Sequence, residues 1–350
     1  MNNWEKNIRV VDPYVPGEQP QNTNIIKLNT NENPYPPAPA VMELATNLDA
    51  DRFKLYPDPT AQKLVNAIAE YHNVKPTMIF PGVGSDDVLS VAFLTFFNSD
   101  KPILFPDITY SFYKVWADVY RIPYKCPRLD DDFNIVAKDY YDENGGVIFA
   151  NPNAPTSIYR DLDFVRDILE HNKDVIVIVD EAYIDFGGDS AISLLEEYEN
   201  LVIVRTYSKS KSLAGIRIGY AVASERLIKA MNDVKYSINS YTMNMPSIEF
   251  GTAAIQCVDY YNEVVRRVVE TRDRTIKRIR ELGFECPDSS TNFIFARHKS
   301  IPGNQIFEDL KAASIYVRHF NQDRIGDYLR ISVGTDEEMD ALCRYLERYK

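Results

Sequence analysis

The stretch Arg205-Thr-Tyr-Ser-Lys-Ser-Lys-Ser-Leu-Ala-Gly-Ile-Arg-Ile-Gly219 decides how the rest of the chain is read. It follows the apolar run Leu201-Val-Ile-Val204, so it begins where a strand should end. It sets a lysine among small hydroxyl residues and continues through a glycine to Arg217. Upstream, Val175-Ile-Val-Ile-Val-Asp-Glu-Ala-Tyr183 is a second apolar run, and it stops at an acidic pair and a tyrosine. A lysine, a buried aspartate and a basic pocket of phosphate size are the parts that a pyridoxal 5'-phosphate (PLP) enzyme needs. The lysine bonds the aldehyde as a Schiff base, the aspartate keeps the pyridine nitrogen protonated, and arginine with hydroxyls holds the phosphate.

Working outward, further short apolar runs occur at Ile103-Leu-Phe105, Val147-Ile-Phe-Ala150 and Ile218-Gly-Tyr-Ala-Val222. Most are continuous rather than alternating, as strands buried on both faces are, and longer amphipathic stretches separate them. The pattern predicts an α/β fold with a mainly parallel central sheet flanked by helices. Polar residues follow four of the runs: Asp107, Asn151, Asp180 and Thr206. Ligands of open α/β sheets bind outside the carboxyl ends of the strands, so these positions should converge on one site.

The organisation along the chain follows from composition and periodicity. Residues 1–37 are rich in Asn and Pro and predict an irregular arm that joins a smaller domain. Helical periodicity begins near Ala40 and recurs at 61–72. Residues 38–250 are expected to form the large domain. From Ser247 to about Leu282 the pattern predicts one long linking helix. Strands at Asn292–Ala296, Tyr316–Arg318 and Tyr328–Val333 and a closing helix from Glu337 complete a small α+β domain, 251–350.

With 350 residues, 45% of them hydrophobic, the chain can bury a full core. A net charge of −12 argues against a nucleic-acid surface. Cys126, Cys257, Cys286 and Cys343 show no paired spacing, and the four histidines are scattered, so no metal site or disulfide framework is expected. The first residues lack the apolar stretch of a signal peptide, and no run reaches membrane-spanning length. The expectation is a cytoplasmic protein without membrane or nucleic-acid partners.

Within the site, Lys209 is the candidate for the covalent lysine and Lys211 its competitor; the strand end and the spacing to Arg217 favour Lys209. Asp180 either pairs with a pyridinium nitrogen or caps the next helix. Tyr183 either bonds the ring's 3'-oxygen or packs on the sheet edge. Gly82-Val-Gly-Ser-Asp-Asp87 precedes an apolar helical run and either simply caps that helix or offers backbone N–H groups to an anion. With Ser208 and Arg217 it would complete a phosphate cup. Tyr110, past a strand end, either stacks on the ring or serves in ordinary packing. Arg318 and Arg330 adjoin apolar strand candidates; each either forms a structural salt bridge or grips a substrate anion.

Taken in order, these segments resemble fold-type I PLP aminotransferases, and within them the histidinol-phosphate aminotransferase family. The resemblance rests on Asp12-Pro-Tyr-Val-Pro-Gly17, Lys27-Leu-Asn-Thr-Asn-Glu-Asn-Pro34, Tyr56-Pro-Asp-Pro59, Gly82–Asp87, Asp180-Glu-Ala-Tyr183, Arg205-Thr-Tyr-Ser-Lys209, Leu213-Ala-Gly-Ile-Arg217, Thr291-Asn292 and Leu329-Arg-Ile-Ser-Val-Gly-Thr335. It covers nearly the whole chain. It implies Lys209, Asp180 and Tyr183 as catalytic residues, and a PLP site made of Ser85, Asp86, Tyr110, Thr206, Ser208 and Arg217 with them. Tyr56 would reach the cofactor of the other subunit of a homodimer. Tyr14, Asn33, Arg318 and Arg330 would contact substrate. The implied reaction moves the amino group between L-histidinol phosphate and 2-oxoglutarate, giving imidazole-acetol phosphate and L-glutamate.

One departure stands out. The family usually shows Asn-Pro-Thr-Gly, its Asn bonding the 3'-oxygen, whereas this chain has Asn151-Pro-Asn-Ala-Pro-Thr-Ser157, with Ala154 at the Asn position. That contact is lost or passes to Asn153, and Tyr183 carries more of the oxygen's orientation. Three alternatives share the scaffold: an aromatic or broad-specificity aminotransferase, a phosphothreonine-type decarboxylase, and a non-catalytic PLP-binding regulator. The acidic balance and the absence of a DNA-binding extension argue against the last.

Overall fold

Seven strands form the main sheet, in the order Ile79–Gly82, Gly219–Ala223, Leu201–Thr206, Val177–Asp180, Val147–Ala150, Ile103–Leu104 and Tyr124–Lys125. Pairing is parallel except at Gly219–Ala223, which runs antiparallel to both its neighbours. The central strands Val147–Ala150, Val177–Asp180, Leu201–Thr206 and Gly219–Ala223 are buried at every residue, which is why their sequences show no alternation. This computed structural model describes residues 2–20 and 24–350; residues 1 and 21–23 of the expected arm lie outside the described residues.

Helices cover both faces. On one, Ser85–Phe96, Phe112–Tyr120 and Glu225–Ile238 meet the sheet through Phe80, Phe93, Trp116, Val202 and Met231. On the other, Gln62–His72, Leu162–His171 and Met245–Gln256 pack through Leu64, Ile68, Phe149, Ile203 and Ile248. Local signals set the helix starts. Asp161 accepts from the Phe164 N–H, and Asn244 accepts from the Ser247 N–H with Pro246 in the first turn.

The expected single helix over 247–282 is two, Met245–Gln256 and Val258–Glu281, meeting at Cys257. The first lies in the core of the main sheet, whereas the second packs Val268, Ile276 and Ile279 on a separate four-stranded sheet. That sheet is antiparallel, in the order Arg318–His319, Tyr328–Ser332, Phe293–His298, Phe284–Glu285. Its closing helix, Asp336–Leu346, starts at a capping box between Thr335 and Glu338. The arm is less irregular than its composition predicts. Ile26–Lys27 pairs in parallel with Ile315–Tyr316, and the Ser332 N–H donates to the Leu28 carbonyl, so the arm is stitched to the smaller sheet.

Candidate active site

The register of the one antiparallel strand builds the site. Gly219 is opposite both Gly82 and Thr206, so the turn after Gly82, the segment after Thr206 and the approach to Gly219 meet at one end of the sheet. Close approach requires glycine at two positions here. Gly84 has φ of +85°, and a Cβ on it would lie 2.5 Å from Nη2 of Arg217; a Cβ on Gly219 would collide with the Ser85 amide nitrogen. Ser85 and Asp86 open the helix Ser85–Phe96, whose first-turn N–H groups lack intrahelical acceptors and suit an anion.

Around this junction lies a cavity of ≈ 250 Å³ lined by Ser85, Asp86, Tyr110, Ala154, Asp180, Tyr183, Thr206, Ser208, Lys209 and Arg217, with Thr30 and Glu32 from the arm. An adjoining cavity of ≈ 420 Å³ shares Tyr110, Ala154 and Tyr183 and is also lined by Tyr14, Arg318 and Arg330.

Asp180, the last residue of its strand, is buried. It accepts from the Tyr113 hydroxyl at 2.8 Å and the Ala182 N–H at 3.2 Å, and no cation pairs with it among the described residues. Burial pushes its pKa up to about 6 against the pull of those two donors. A carboxylate held this way is poised for a cationic N–H from a ligand. Arg217 donates to Ser208 Oγ at 3.4 Å and lies 3.2 Å from Asp86 Oδ2. The other oxygen of Asp86 accepts from Tyr110 at 2.7 Å, so one carboxylate fixes both the guanidinium and the tyrosine. Burial, then the Asp86 charge, raises the Tyr110 pKa well above its usual value, and the phenol stays protonated.

The two lysines separate cleanly. Lys209 lines the smaller cavity, with Nζ 3.4 Å from the Thr30 carbonyl oxygen and 5.6 Å from the Tyr183 ring centroid. Lys211 is buried outside it, over the rings of Tyr71 and Tyr261, and burial lowers its pKa. Behind both, Arg205 pairs with Glu181 and Asp185, and Asp185 accepts from Ser210, which pins the lysine loop.

At the larger cavity, Arg330 donates to the Asn29 carbonyl at 2.9 Å, while its Nε is buried without a partner and no carboxylate offsets its charge among the described residues. Burial lowers its pKa. An orphaned guanidinium N–H in a cavity is a fit for an anion. Arg318 is held by the Val15 and Pro16 carbonyls, and Tyr14 stacks on Phe112 at 4.2 Å.

Several expected residues are not in the site. Asn153 lines neither cavity. Its carboxamide donates to the Ile108 carbonyl and Thr156 Oγ1 and accepts from Thr109, so it cannot replace the contact missing at Ala154. Asn33 also lines neither; it joins the Lys209 carbonyl to the Tyr35 N–H and so braces the lysine backbone. Asp107 pairs with Arg324 and caps Leu129, and Asn151 clamps the backbone of Arg160. Tyr56 is 82% exposed, stacked on Tyr241, and outside both cavities of its own chain. Conversely, Tyr113 was not anticipated; its position one helical turn after Tyr110 was the available signal.

Known proteins are similar to this chain in sequence and fold. The model of class I and II aminotransferases matches residues 23–346. The histidinol-phosphate aminotransferase of Clostridium beijerinckii is 46% identical over 343 residues, spanning 98% of this chain and 96% of that one. That of Lactococcus lactis subsp. cremoris is 46% identical over 346 residues, spanning 99% and 97%. The chain belongs to the histidinol-phosphate aminotransferase family. Solved structures carry the same fold. The histidinol-phosphate aminotransferase of Sinorhizobium meliloti, in complex with pyridoxal-5'-phosphate, aligns with a TM-score of 0.84 at 24% identity, covering 93% of this chain and 90% of that one. The enzyme from Clostridium acetobutylicum aligns at 0.85 with 22% identity, covering 93% and 98%. For a member of this aminotransferase family, the buried carboxylate, the lysine and the anion-ready helix end are the informative features. Among the described residues no helix is long and apolar enough to cross a membrane, and no cluster of ligating side chains could hold a metal ion.

Proposed function

We propose that this chain is a PLP-dependent aminotransferase that moves the amino group between L-histidinol phosphate and 2-oxoglutarate, yielding imidazole-acetol phosphate and L-glutamate, as a step of histidine biosynthesis. The observation that carries the reading is Asp180, a buried carboxylate with no paired cation among the described residues, which shares one cavity with Lys209 and Arg217. The name shared by its relatives supplies the substrate.

The residues fit PLP part by part. Asp180, steadied by Tyr113 and the Ala182 N–H, would keep a proton on the ring nitrogen. Arg217, Ser208, Thr206 and the amides of Ser85 and Asp86 would hold the phosphate. Tyr110 would cover one ring face and Tyr183 would donate to the 3'-oxygen. Bound there, PLP supplies an electron sink for the pair left when the substrate Cα–H bond breaks. Lys209 would tether the cofactor, and its amine, when free, would move the proton at the substrate Cα. Arg330 and Arg318, with Tyr14, bind the phosphate of one substrate and a carboxylate of the other in turn, since guanidinium forks match both oxygen geometries.

In this reading the arm (1–37) joins the small domain (251–350), beside the large PLP-binding domain (38–250). The enzyme works as a cytoplasmic homodimer in which Tyr56 of each subunit completes the phosphate site of the other. The test is a panel of amino donors with 2-oxoglutarate on PLP-loaded protein, scored for glutamate. Histidinol phosphate should give the highest kcat/KM. Preference for phenylalanine or tyrosine would replace the substrate assignment, and release of CO₂ without glutamate would replace the reaction.

A further inference from the structure

The segment Asn29–Asn33 of the arm touches three of the candidate site residues, Arg330, Lys209 and Tyr183. Asn29 offers its carbonyl to Arg330, Thr30 offers its carbonyl to the Lys209 amine, and Asn33 braces the Lys209 backbone. Between them, Asn31 meets Tyr183. Its Nδ2 donates to the Tyr183 hydroxyl oxygen at 2.9 Å.

Asn31 is itself fixed from three sides. Its N–H donates to Ser332 Oγ at 2.8 Å, the Ser332 hydroxyl donates back to its Oδ1 at 3.0 Å, and Asn292 Nδ2 donates to its carbonyl at 3.0 Å. It is 1% exposed and sits at φ of 56°, a left-handed conformation that asparagine tolerates better than most residues. With Oδ1 taken by Ser332, the amide orientation is set, and Nδ2 can only donate toward Tyr183. That donation occupies one lone pair of the phenol. The phenol's own proton has no acceptor among the described residues and is left for the cavity that Tyr183 lines.

Position 154 is alanine and Asn153 is committed elsewhere, so neither residue of that loop can hydrogen-bond a ligand oxygen in the cavity through its side chain. We infer that Asn31 is the positioning residue that compensates for Ala154: by donating to Tyr183 it aims the tyrosine proton at the cofactor's 3'-oxygen. The inference rests on the PLP reading above. Its consequence is spectroscopic. A donor on the 3'-oxygen withdraws charge from it and loosens its hold on the proton of the nitrogen that Lys209 shares with the cofactor. Weakening that donor raises the pH at which the bound cofactor's absorbance changes.

The experiment is a spectrophotometric pH titration of PLP-loaded protein without substrate. Asn31→Gly, which keeps the left-handed backbone, should move the midpoint upward by roughly half a pH unit, about threefold in proton affinity and the scale of part of one neutral hydrogen bond. Asn31→Asp, isosteric but an acceptor, should pull the tyrosine proton away and move it further in the same direction; it also serves if the glycine variant does not fold. Neither change should shift the midpoint further in a Tyr183→Phe background, and adding Ala154→Asn to Asn31→Gly should bring it back down. An unmoved midpoint, an equal shift without the Tyr183 hydroxyl, or no downward movement with Ala154→Asn would each overturn the inference. A wild type that stays colourless with excess PLP overturns the cofactor reading as well, whereas a yellow wild type with an unmoved midpoint overturns this inference alone.

Discussion

Replacing Asp180 with asparagine should stabilise the cofactor-free protein at neutral pH. Burial lifts the Asp180 carboxyl from 3.8 to about 6 in the folded chain. Because the folded value is above the unfolded one, the folded state holds this proton more tightly between pH 3.8 and 6. Stability is therefore lost as pH rises through that window. A shift of about two units corresponds to about 3 kcal/mol withheld from the native state above pH 6. Asparagine removes the charge and keeps the partners: its oxygen can accept from the Ala182 N–H, and its amide can donate to the Tyr113 hydroxyl oxygen. For 350 residues the unfolding entropy is about 0.7 kcal/mol/K, so 3 kcal/mol is worth about 4 °C. Thermal unfolding of cofactor-free wild type and Asp180→Asn, followed by circular dichroism from pH 4 to 8, should show a small difference at pH 4. The variant should lead by about 4 °C above pH 6. Saturating PLP should reverse the order, because only the wild type gains an ion pair with the ring nitrogen. A difference that stays constant from pH 4 to 8, or a wild type that leads without cofactor at pH 8, would refute the reasoning.

Further outcomes follow from the same geometry. Lys209→Ala should abolish both the yellow absorbance and the borohydride-reducible link to PLP, and Lys211→Ala should keep both; the opposite result would reassign the covalent lysine. Arg330→Met should lower kcat/KM for histidinol phosphate and for 2-oxoglutarate by about 10- to 100-fold, the scale of one charge-assisted hydrogen bond, with the cofactor spectrum intact. Unchanged steady-state kinetics for either substrate would remove Arg330 from the binding site. Gly84→Ala should weaken PLP binding about tenfold, because φ of +85° disfavours a Cβ and that Cβ would displace Arg217. Equal dissociation constants in a fluorescence titration would count against the cradle.

What could be read from the chain depended on how local its cause was. Val147–Ala150 and Leu201–Val204 are legible because burial on both faces writes itself as uninterrupted apolar runs. Lys209, Asp180 and Thr206 are legible because strand ends in such a sheet define the ligand side. Strand Ile79–Gly82 was missed: it is short, it lies at the edge, and it contains Pro81, which only an edge strand accommodates. The break at Cys257 carries no Gly or Pro, and only the change of packing partner from one sheet to the other reveals it. Asn153 and Asn33 were assigned to the site on pattern. A carboxamide's partners depend on what folds against it, here Ile108 and Thr109 for Asn153 and Lys209 for Asn33, and periodicity does not encode that. Asn31 was invisible for the same reason, since its partners Tyr183, Asn292 and Ser332 are remote in sequence.

The return from Thr206 to Gly219 brings Ser208, Lys209 and Arg217 to the sheet end where Asp180 and Ser85 lie, whereas Arg318, Arg330 and Tyr14 come from the smaller sheet and the arm. In the proposed reading, tenure of the coenzyme and choice of the amine donor rest largely on different parts of the polypeptide, joined through Asn31 of the arm. Drift in the second set can redirect such a catalyst to a new metabolite while its chemical engine stays untouched.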